Sequence, residues 1–366
     1  MHPTLIRPAR ALLTLLVAAL VLTGCQAAGA HDDAGGPATP PLADVTPLTD
    51  PHDAEGPSTA VAASVSIDPV TTGDASLPAS VTDSQGTAVT ITDTSRILAL
   101  DLYGSLSRIV FELGLGDNVV GRDVSSGFPE IADRPLVTQN GHDLNAEAML
   151  ELNPTVILTD TSLGPWDAIL QMREIGIPVV VVDSHRSIEG IGGLITEVAA
   201  ALGVPERGAE LAQRTTDAVA AKVAQIADIA PADPADRLRM LLLYVRGQSG
   251  VYYLFGDESG ADTLIEALGG IDIAGQNEWT GMRPVTAEAL VAANPDVILM
   301  MTKGLESVGG VDGLVEHIPA VAQTVAGQKR RIVDMSDTTL LSFGPHTASV
   351  LDALAVAVYA PEEASR

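Results

Sequence analysis

The sequence predicts an α/β protein built from two lobes of similar architecture. Apolar, strand-like runs alternate with helical stretches in two separate parts of the chain, and this alternation is typical of βα units. A segment of fifteen residues also recurs 141 positions further along, a distance far too long for a solenoid repeat. The chain has 366 residues, 46% of them hydrophobic, so each lobe can form a packed core.

Residues 1–25 have the pattern of a targeting segment. Arg7 and Arg10 precede an apolar run that is too short to span a bilayer comfortably, so we do not assign this run to the fold. The run ends in Leu22–Cys25, which resembles the bacterial lipobox, whose cysteine carries the lipid. Cys25 is the only cysteine of the chain, which excludes an intramolecular disulfide. We expect Cys25 to be lipidated; the alternative is an ordinary cleaved signal peptide.

Residues 26–75 are predicted to form a flexible tether. The segment is rich in Ala, Gly, Pro, Thr and Asp, and no Lys or Arg occurs between Gln26 and Ser95. Such a composition buries too little apolar surface to offset the entropy cost of ordering the chain. The globular part is therefore expected to begin near residue 76.

The N-terminal lobe is predicted to span residues 76–186. It opens with two strands around the turn at Gly86, within Val81–Ile91. Apolar runs and helical patterns then alternate. The predicted strands are Ile97–Leu100, Val119–Gly121, Thr155–Leu158 and Val179–Val182, and the predicted helices are Ser105–Leu113, Ala146–Leu152 and Pro165–Ile175.

A helical linker, residues 187–235, is predicted to lead into a C-terminal lobe of residues 236–366. Gly203–Pro205 breaks the helical pattern of the linker, and a long helix, Glu206–Ile229, follows the proline. The alternation of strands and helices then resumes. The predicted strands of this lobe are Leu238–Val245 and Val297–Met301, and its predicted helices are Gly260–Leu268, Ala287–Ala293 and Pro345–Tyr359.

The internal repeat is the most informative signal. Leu144–Leu158 matches Val285–Leu299 at eight of fifteen positions. Each copy contains a helix, an Asn-Pro turn and a buried strand. Asn145 and Thr286 stand where a helix N-cap belongs. Each Asn-Pro pair ends its helix, because the residue before proline disfavours the α conformation.

The doubled motif Glu…Asn-Pro-x-Val-Ile-Leu resembles the substrate-binding proteins of ABC importers for siderophores, cobalamin and haem. The resemblance covers about residues 80–359. It implies two βα lobes joined by a single long rigid helix, here Glu206–Ile229, with the ligand in the cleft between the lobes. It also implies that Glu147 and Glu288 dock on basic residues of the permease. The alternative explanation for these two carboxylates is a favourable interaction with the helix dipole.

His142 is the first candidate ligand residue. It lies in the loop Gln139–Asp143, immediately before the first repeated helix, and Gly141 gives the backbone freedom there. In the family that the chain resembles, this loop faces the cleft. Imidazole is a common axial ligand of haem iron. The alternative is an ordinary histidine of a surface loop.

Tyr244 and Arg246 close an apolar strand that begins at Leu241. Alternation along a strand places both side chains on one face. Tyrosinate is a hard oxygen ligand that suits ferric iron, and a neighbouring guanidinium favours the ionised phenol and holds its orientation. The alternative is a core tyrosine with a satisfied hydroxyl. Met301, which closes the repeated strand of the second lobe, is a supporting candidate because a soft side chain suits a flat macrocycle.

This combination resembles a narrower family, the haem-binding lipoproteins of actinobacterial haem-uptake transporters, known as the HmuT type. The similar stretches are Tyr244–Gly256, 301–307 and 341–345. The resemblance implies axial ligation of haem iron by His142 and Tyr244, with Arg246 beside the tyrosine and haem b as the transported ligand. It implies the permease with its ATPase, and upstream haem-donor surface proteins, as partners. It also implies an extracytoplasmic location, anchored to the outer face of the cell membrane through Cys25.

Composition and motifs argue against other functions. The formal net charge of −27 disfavours a nucleic-acid partner. The sequence has no Gly-x-Ser-x-Gly elbow, no His-Glu-x-x-His and no glycine-rich nucleotide loop, so we do not expect an enzyme. A carrier of ferric siderophore or cobalamin stays open as an alternative. A zinc or manganese carrier needs three or four converging ligands, and only His142 is well placed.

Several further residues are second choices for the site. Tyr252 and Tyr253 compete with Tyr244 as the tyrosine ligand. Arg283 aligns with His142 in the second copy of the repeat, so it is a candidate partner for a haem propionate. The remaining histidines of the lobes are weaker candidates, and they are His185, His317 and His346.

Overall fold

The computed structural model describes residues 36–247 and 251–364. The predicted targeting segment and Cys25 lie outside these residues. Within them, no helix is both long and apolar enough to cross a membrane.

The N-terminal lobe is built on a three-stranded parallel sheet. After a first short strand, β1 (Ser58–Ala60), the elements are β2 (Ala79–Thr82), β3 (Ala88–Ile91), β4 (Ile97–Leu100), α1 (Ser105–Val110), β5 (Thr138–Gln139), β6 (Asp143–Leu144), α2 (Ala146–Glu151), β7 (Val156–Thr159), α3 (Trp166–Glu174) and β8 (Val179–Val181). The sheet has the order β4-β7-β8, and every residue of these strands is buried. A π-helical turn, Phe111–Leu115, extends α1.

The predicted elements of this lobe are confirmed with small differences at their ends. The exception is the predicted strand Val119–Gly121, where only Val119 forms a bridge, to Ile97 at the edge of the sheet. Gly121 explains part of this, because an added Cβ there would stand 2.5 Å from a methyl carbon of Leu152. Gly121 thus packs closely against Leu152 at the end of α2, and residues 119–121 contribute to this packing instead of extending the sheet.

Two helices follow, α4 (Ile191–Ala201) and α5 (Pro205–Ala227), and they confirm the predicted break. Gly203 has φ +71°, and an added Cβ would stand 2.5 Å from the carbonyl oxygen of Ser76, so the turn requires glycine. Pro205 opens α5 at a position where its missing N–H costs nothing. With 23 residues, α5 is about 35 Å long.

Helix α5 bridges the two lobes. Near its start, Arg207 donates to the carbonyl oxygen of Leu113 in the N-terminal lobe at 3.1 Å. Near its end, Lys222 forms an ion pair with Asp352, which belongs to the C-terminal lobe. A continuous helix fixed to both lobes in this way keeps them at a defined separation, as the resemblance implied.

The C-terminal lobe holds the larger sheet. Its elements are β9 (Arg239–Arg246), β10 (Val251–Phe255), α6 (Ala261–Ala267), β11 (Ile271–Asp272), α7 (Ile273–Gln276), β12 (Met282–Pro284), α8 (Ala287–Ala293), β13 (Val297–Met301), α9 (Thr302–Ser307), α10 (Gly310–His317), α11 (Val325–Lys329), β14 (Ile332–Met335), α12 (Thr347–Tyr359) and α13 (Pro361–Ala364). In the described part of the chain, the strand order is β1-β14-β13-β9-β10-β12, with β11 also pairing with β9. Strands β14, β13 and β9 run parallel, and β10 and β12 are antiparallel additions.

The two copies of the repeat fold alike, as α2–β7 and α8–β13. The Asn145 side chain caps α2 by accepting from two backbone N–H groups, and Thr286 caps α8 by accepting from that of Ala289. Asn153 and Asn294, each followed by proline, adopt the left-handed conformation with φ of 46° and 43°. Asparagine tolerates this conformation better than most residues, which accounts for its place at both helix ends.

The prediction of a flexible tether is wrong for residues 36–75. Strand β1 pairs in parallel with β14, and Leu42, Ala60 and Val70 are each at most 4% exposed. The Val70 N–H donates to the carbonyl oxygen of Glu112 in the other lobe at 2.8 Å. The segment therefore runs from the C-terminal lobe to the N-terminal lobe. A few apolar side chains and backbone hydrogen bonds suffice to order it because both lobes offer a preformed surface.

Candidate ligand-binding site

A cleft of about 430 Å³ lies between the two lobes and contains all four predicted ligand-contacting residues. Its wall in the N-terminal lobe consists of Leu102, Tyr103, Val124, Ser125, Gly141 and His142. Its wall in the C-terminal lobe consists of Tyr244, Arg246, Phe255, Met282, Met301, Lys303, Asp337, Thr338 and Leu341. The predicted position of a ligand between the lobes therefore corresponds to a real cavity.

His142 stands on the β5–β6 loop and faces the opposite lobe. Asn140 and Gly141 have φ of 49° and 95°, which forms the tight turn that carries the histidine. The Ser125 hydroxyl lies 3.4 Å from Nδ1 of His142, which leaves Nε2 for a ligand. Burial lowers the pKa of His142, and the positive charge of Arg246 lowers it further. The imidazole is therefore neutral at neutral pH, the form that binds a metal.

Tyr244 and Arg246 project from one face of β9, as strand alternation predicts. The residue between them, Val245, points to the other side and is 3% exposed. The Arg246 Nε–H donates to the Tyr244 hydroxyl oxygen at 2.9 Å, and the guanidinium carbon lies 5.0 Å from the centre of the phenol ring. Phe255 packs edge-on against the same ring, with the two centroids 6.2 Å apart. The phenol is held in one orientation at the cleft wall.

Asp337 completes this group, and the sequence analysis missed it. Its Oδ1 accepts from NH2 of Arg246 at 3.1 Å, and its Oδ2 accepts from the backbone N–H of Lys303 at 2.9 Å. Burial disfavours the charge on Arg246, but Tyr244 and Asp337 outweigh burial and raise the pKa of Arg246 above its usual value. One signal was available in the sequence: Asp337 follows β14, and polar residues after parallel strands gather at one edge of a sheet.

Apolar side chains line much of the remaining cleft. Met301 ends β13 and is half-buried, while Leu341 is 4% exposed deeper in the wall. At the rim, the large apolar residues Leu102 and Met282 are 38% and 56% exposed. A flat apolar ligand would cover this surface, whereas a small polar solute would leave it in water.

Buried charges support the cleft wall of the N-terminal lobe. Arg186 pairs with Asp101 and Asp160, at 3.3 Å and 2.6 Å, at the ends of β4 and β7. Tyr103 lies over the same guanidinium, with its ring centre 4.9 Å away. Burial and the neighbouring carboxylate of Asp101 raise the pKa of Asp123 to about 7. These contacts fix the loops that present Leu102, Tyr103, Val124 and Ser125 to the cleft.

The second-choice residues lie elsewhere in the described chain. Tyr252 packs against the core of the C-terminal lobe, and neither it nor Tyr253 lines the cleft. The expectation that Arg283 faces the cleft is wrong: its neighbour Met282 lines the cleft instead. Successive side chains of a strand point to opposite faces, so a shift of one residue reverses the direction.

The other histidines of the lobes do not line the cleft. His185 is exposed, and its Nδ1 lies 2.7 Å from a carboxylate oxygen of Asp183. His317 lies on α10 and contacts the carbonyl oxygen of Gly313. His346 precedes α12, and its side chain does not cap that helix. Burial lowers the pKa of His346 to about 3, with a further contribution from Arg108.

Glu147 and Glu288 occupy equivalent positions outside the cleft. Each is exposed and lies in the first turn of its helix, α2 or α8. Neither lines the cleft. Within residues 36–247 and 251–364, no group of three or more His, Cys, Asp or Glu side chains is arranged to hold a metal ion.

Comparison with known proteins agrees with this architecture. Residues 102–339 match the model of the periplasmic binding protein family. The crystal structure of the haem-binding protein HmuT has a TM-score of 0.80 and 43% sequence identity, covering 85% of this chain and 99% of that one. The uncharacterised ABC transporter substrate-binding lipoprotein YvrC of Bacillus subtilis is 24% identical over 287 residues, 77% of this chain and 86% of that protein.

A third relative is the cobalamin-binding protein of Halobacterium salinarum. It is 27% identical over 233 residues, which make up 61% of this chain and 58% of that protein. The two-lobed α/β fold predicted from the sequence is confirmed by these similarities and by the strands and helices described above. The extent of the family match and the identity to HmuT show that this chain belongs to the periplasmic binding protein family.

Proposed function

We propose that this protein is the haem-binding component of an ABC importer and carries haem b between His142 and Tyr244. One observation carries the proposal: an imidazole and a phenol, on opposite lobes, face a single cleft with apolar walls. Both groups are established axial ligands of haem iron. Haem is the cargo of such a carrier, which performs no chemistry on it.

The donor set suits ferric haem. A phenolate is a hard, anionic oxygen ligand that matches Fe³⁺, and the Arg246 Nε–H stabilises the anion without adding a proton. His142 supplies a neutral nitrogen ligand because its pKa is lowered. Since the two ligands belong to different lobes, haem bound to both connects the two walls of the cleft.

Relatives support this assignment. Structures of HmuT variants have been solved in which a histidine, a tyrosine or an arginine is replaced by alanine. The replaced tyrosine and arginine are two positions apart, the same spacing as between Tyr244 and Arg246. A ferric-siderophore or cobalamin carrier is the second candidate, because a cobalamin-binding protein shares the family. The apolar rim and the phenol–guanidinium pair favour haem.

The proposal also covers the partners of the protein and its location at the membrane. Glu147 and Glu288 dock on basic residues of the permease, one carboxylate for each lobe, and the ATPase acts on the cytoplasmic side. A lipid on Cys25 anchors the protein at the outer face of the cell membrane, and surface haem proteins deliver the ligand. The support for the anchor is the lipobox-like sequence and the similarity to a lipoprotein.

A spectroscopic titration tests the ligand. The mature chain from Gln26 onward, without its lipid, is titrated with ferric haem and, separately, with cobalamin. We expect one equivalent of haem to bind with a shifted Soret band and a tyrosinate charge-transfer band, and cobalamin to bind far more weakly. Tight cobalamin binding without a Soret change would favour the second candidate and overturn haem as the ligand.

A further inference from the structure

We infer that Asp337 is a positioning residue: it holds the Arg246 guanidinium against Tyr244 and thereby sets how firmly the phenolate binds haem iron. This inference rests on the proposed function. The carboxylate acts on the iron ligand through the arginine.

The Asp337 carboxylate accepts hydrogen bonds from both Arg246 and Lys303, and we call this pair of bonds the clamp. Its side chain is 13% exposed, and that of Arg246 is 35% exposed. One oxygen accepts from the guanidinium at 3.1 Å and the other from the Lys303 N–H at 2.9 Å. Asp337, in the segment that follows β14, thereby links this segment to β9 and to the start of α9. Because both oxygens accept hydrogen bonds, the carboxylate has one orientation, and its bond to Arg246 fixes the orientation of the guanidinium.

Arg246 needs such an anchor. An arginine side chain has several rotatable bonds, and ordering it costs rotamer entropy. The Nε–H bond to Tyr244 alone does not fix the plane of the guanidinium. A second, charge-assisted bond to a carboxylate does, because two bonds from one planar group leave little rotation. Asp337 also offsets the positive charge that Arg246 would otherwise present to ferric haem.

Replacement of Asp337 by asparagine tests the two hydrogen bonds that its carboxylate accepts. An amide offers one oxygen, so it accepts from Arg246 or from Lys303 but not from both, and its NH2 group faces a donor in either orientation. Asp337→Asn therefore keeps the volume and loses the clamp. Asp337→Glu keeps the carboxylate on a longer arm. If Asp337 acts through Arg246, its replacement has no further effect once Arg246 is alanine.

The first measurement uses the haem-free protein. The Nε–H of Arg246 is observed by NMR with ¹⁵N labelling and assigned by its loss in Arg246→Ala. We expect a sharp, slowly exchanging signal in the wild type, its loss by exchange in Asp337→Asn, and its recovery in Asp337→Glu. An unchanged signal in Asp337→Asn would overturn the inference, whatever the ligand of the cleft proves to be.

The second measurement uses the ferric haem complex. Haem release to an excess of apomyoglobin is expected to be about tenfold faster in Asp337→Asn, the loss of about 1.4 kcal/mol. The tyrosinate charge-transfer band should shift with it. Asp337→Asn added to Arg246→Ala should change neither quantity. Equal effects of Asp337→Asn in both backgrounds would show that it acts independently of Arg246 and would overturn the inference.

A matched control guards against general effects of losing an ion pair. Asp312 pairs with Arg330 at 2.7 Å on the surface, outside the cleft. Asp312→Asn should leave the arginine signal, the absorption spectrum and the release rate at their wild-type values. If Asp312→Asn sped release as much as Asp337→Asn, the clamp would be refuted. A wild type with no tyrosinate band would instead refute the proposed function, and with it the role of the clamp in haem binding.

Discussion

The Nε–H of Arg246 donates to the hydroxyl oxygen of Tyr244 at 2.9 Å, from two residues further along the same strand. This spacing places the two side chains side by side on one face of β9 without any loop between them. The geometry of the pair is therefore set by a regular strand in the core of the sheet. A carrier built in this way presents its oxygen ligand in a fixed direction before the cargo arrives.

Replacement of either residue of this pair should give a distinct result. Tyr244→Phe keeps the ring against Phe255 but removes the oxygen, so we expect the tyrosinate charge-transfer band to disappear. Arg246→Ala should keep the band and weaken haem binding about tenfold, the typical loss for a charge-assisted hydrogen bond. Absorption spectroscopy and competition titrations measure both. Tyr253→Phe is the control, and a lost band in that variant would move the ligand to β10.

His142→Ala should leave haem bound through Tyr244 alone. We expect a five-coordinate, high-spin ferric complex, because the imidazole is lost and the phenol of Tyr103, which also lines the N-terminal wall, packs over the buried guanidinium of Arg186. Electron paramagnetic resonance distinguishes this complex from the wild type, and haem release should speed up. His185→Ala, remote from the cleft, serves as the control. A six-coordinate spectrum in His142→Ala would mean that another residue completes the coordination.

Glu147 and Glu288 should matter for transport and not for haem binding. Their joint replacement by alanine is expected to lower haem uptake by cells about tenfold, since charge pairs across an interface contribute at least this much when truncated. The Soret spectrum and haem affinity should stay unchanged, because neither residue lines the cleft. The matched control is Glu174→Ala with Glu316→Ala, two exposed helical carboxylates outside the repeat. Equal loss of uptake in the control would argue against docking.

Much of the fold could be predicted from local patterns. The repeated helix and strand were found because Asn-Pro stops a helix and a Val-Ile-Leu run forms a buried strand in both lobes. Tyr244 and Arg246 were found because strand alternation places them together. Arg283 was misplaced because the repeat gives only its sequence offset from His142, whereas the direction of its side chain follows the alternation along strand β12.

The contact of Asp337 with Arg246 and the order of residues 36–75 could not be predicted, for a related reason. Asp337 meets Arg246 across 91 residues of sequence, and only the sheet topology brings the two together. The segment 36–75 has the composition of a disordered chain, and its order depends on a surface made by distant parts of the protein. Local periodicity and composition carry no information about such contacts.

Asp123 should make the stability of the protein depend on pH. Burial and the neighbouring Asp101 raise its pKa from 3.8 to about 7. The native state thus holds a proton that the unfolded chain releases near pH 4, so the stabilising effect of this proton is lost as pH rises from about 4 to 7. Asp123→Asn should reduce the stability difference between pH 5 and pH 8 by roughly 1–3 kcal/mol. Urea unfolding at both pH values measures this stability difference, with Asp133→Asn as the exposed control. An unchanged difference in Asp123→Asn would contradict a raised pKa of Asp123.

The ordered segment before the N-terminal lobe offers the sharpest test of the fold. Ala60 ends β1, is 0% exposed, and packs in the core beneath α12 and β14. In a flexible tether, Ala60→Asp would cost nothing. In the structure, the change buries an unpaired carboxylate or detaches β1 from the sheet, and either outcome should lower the free energy of unfolding by on the order of 2–4 kcal/mol. Ser66→Asp, an exposed position of the same segment, is the control. Thermal and urea unfolding measure the stability of both variants. Equal stability of the two would indicate that residues 36–75 form a flexible tether, whereas a selective loss in Ala60→Asp would establish β1 as part of the C-terminal sheet.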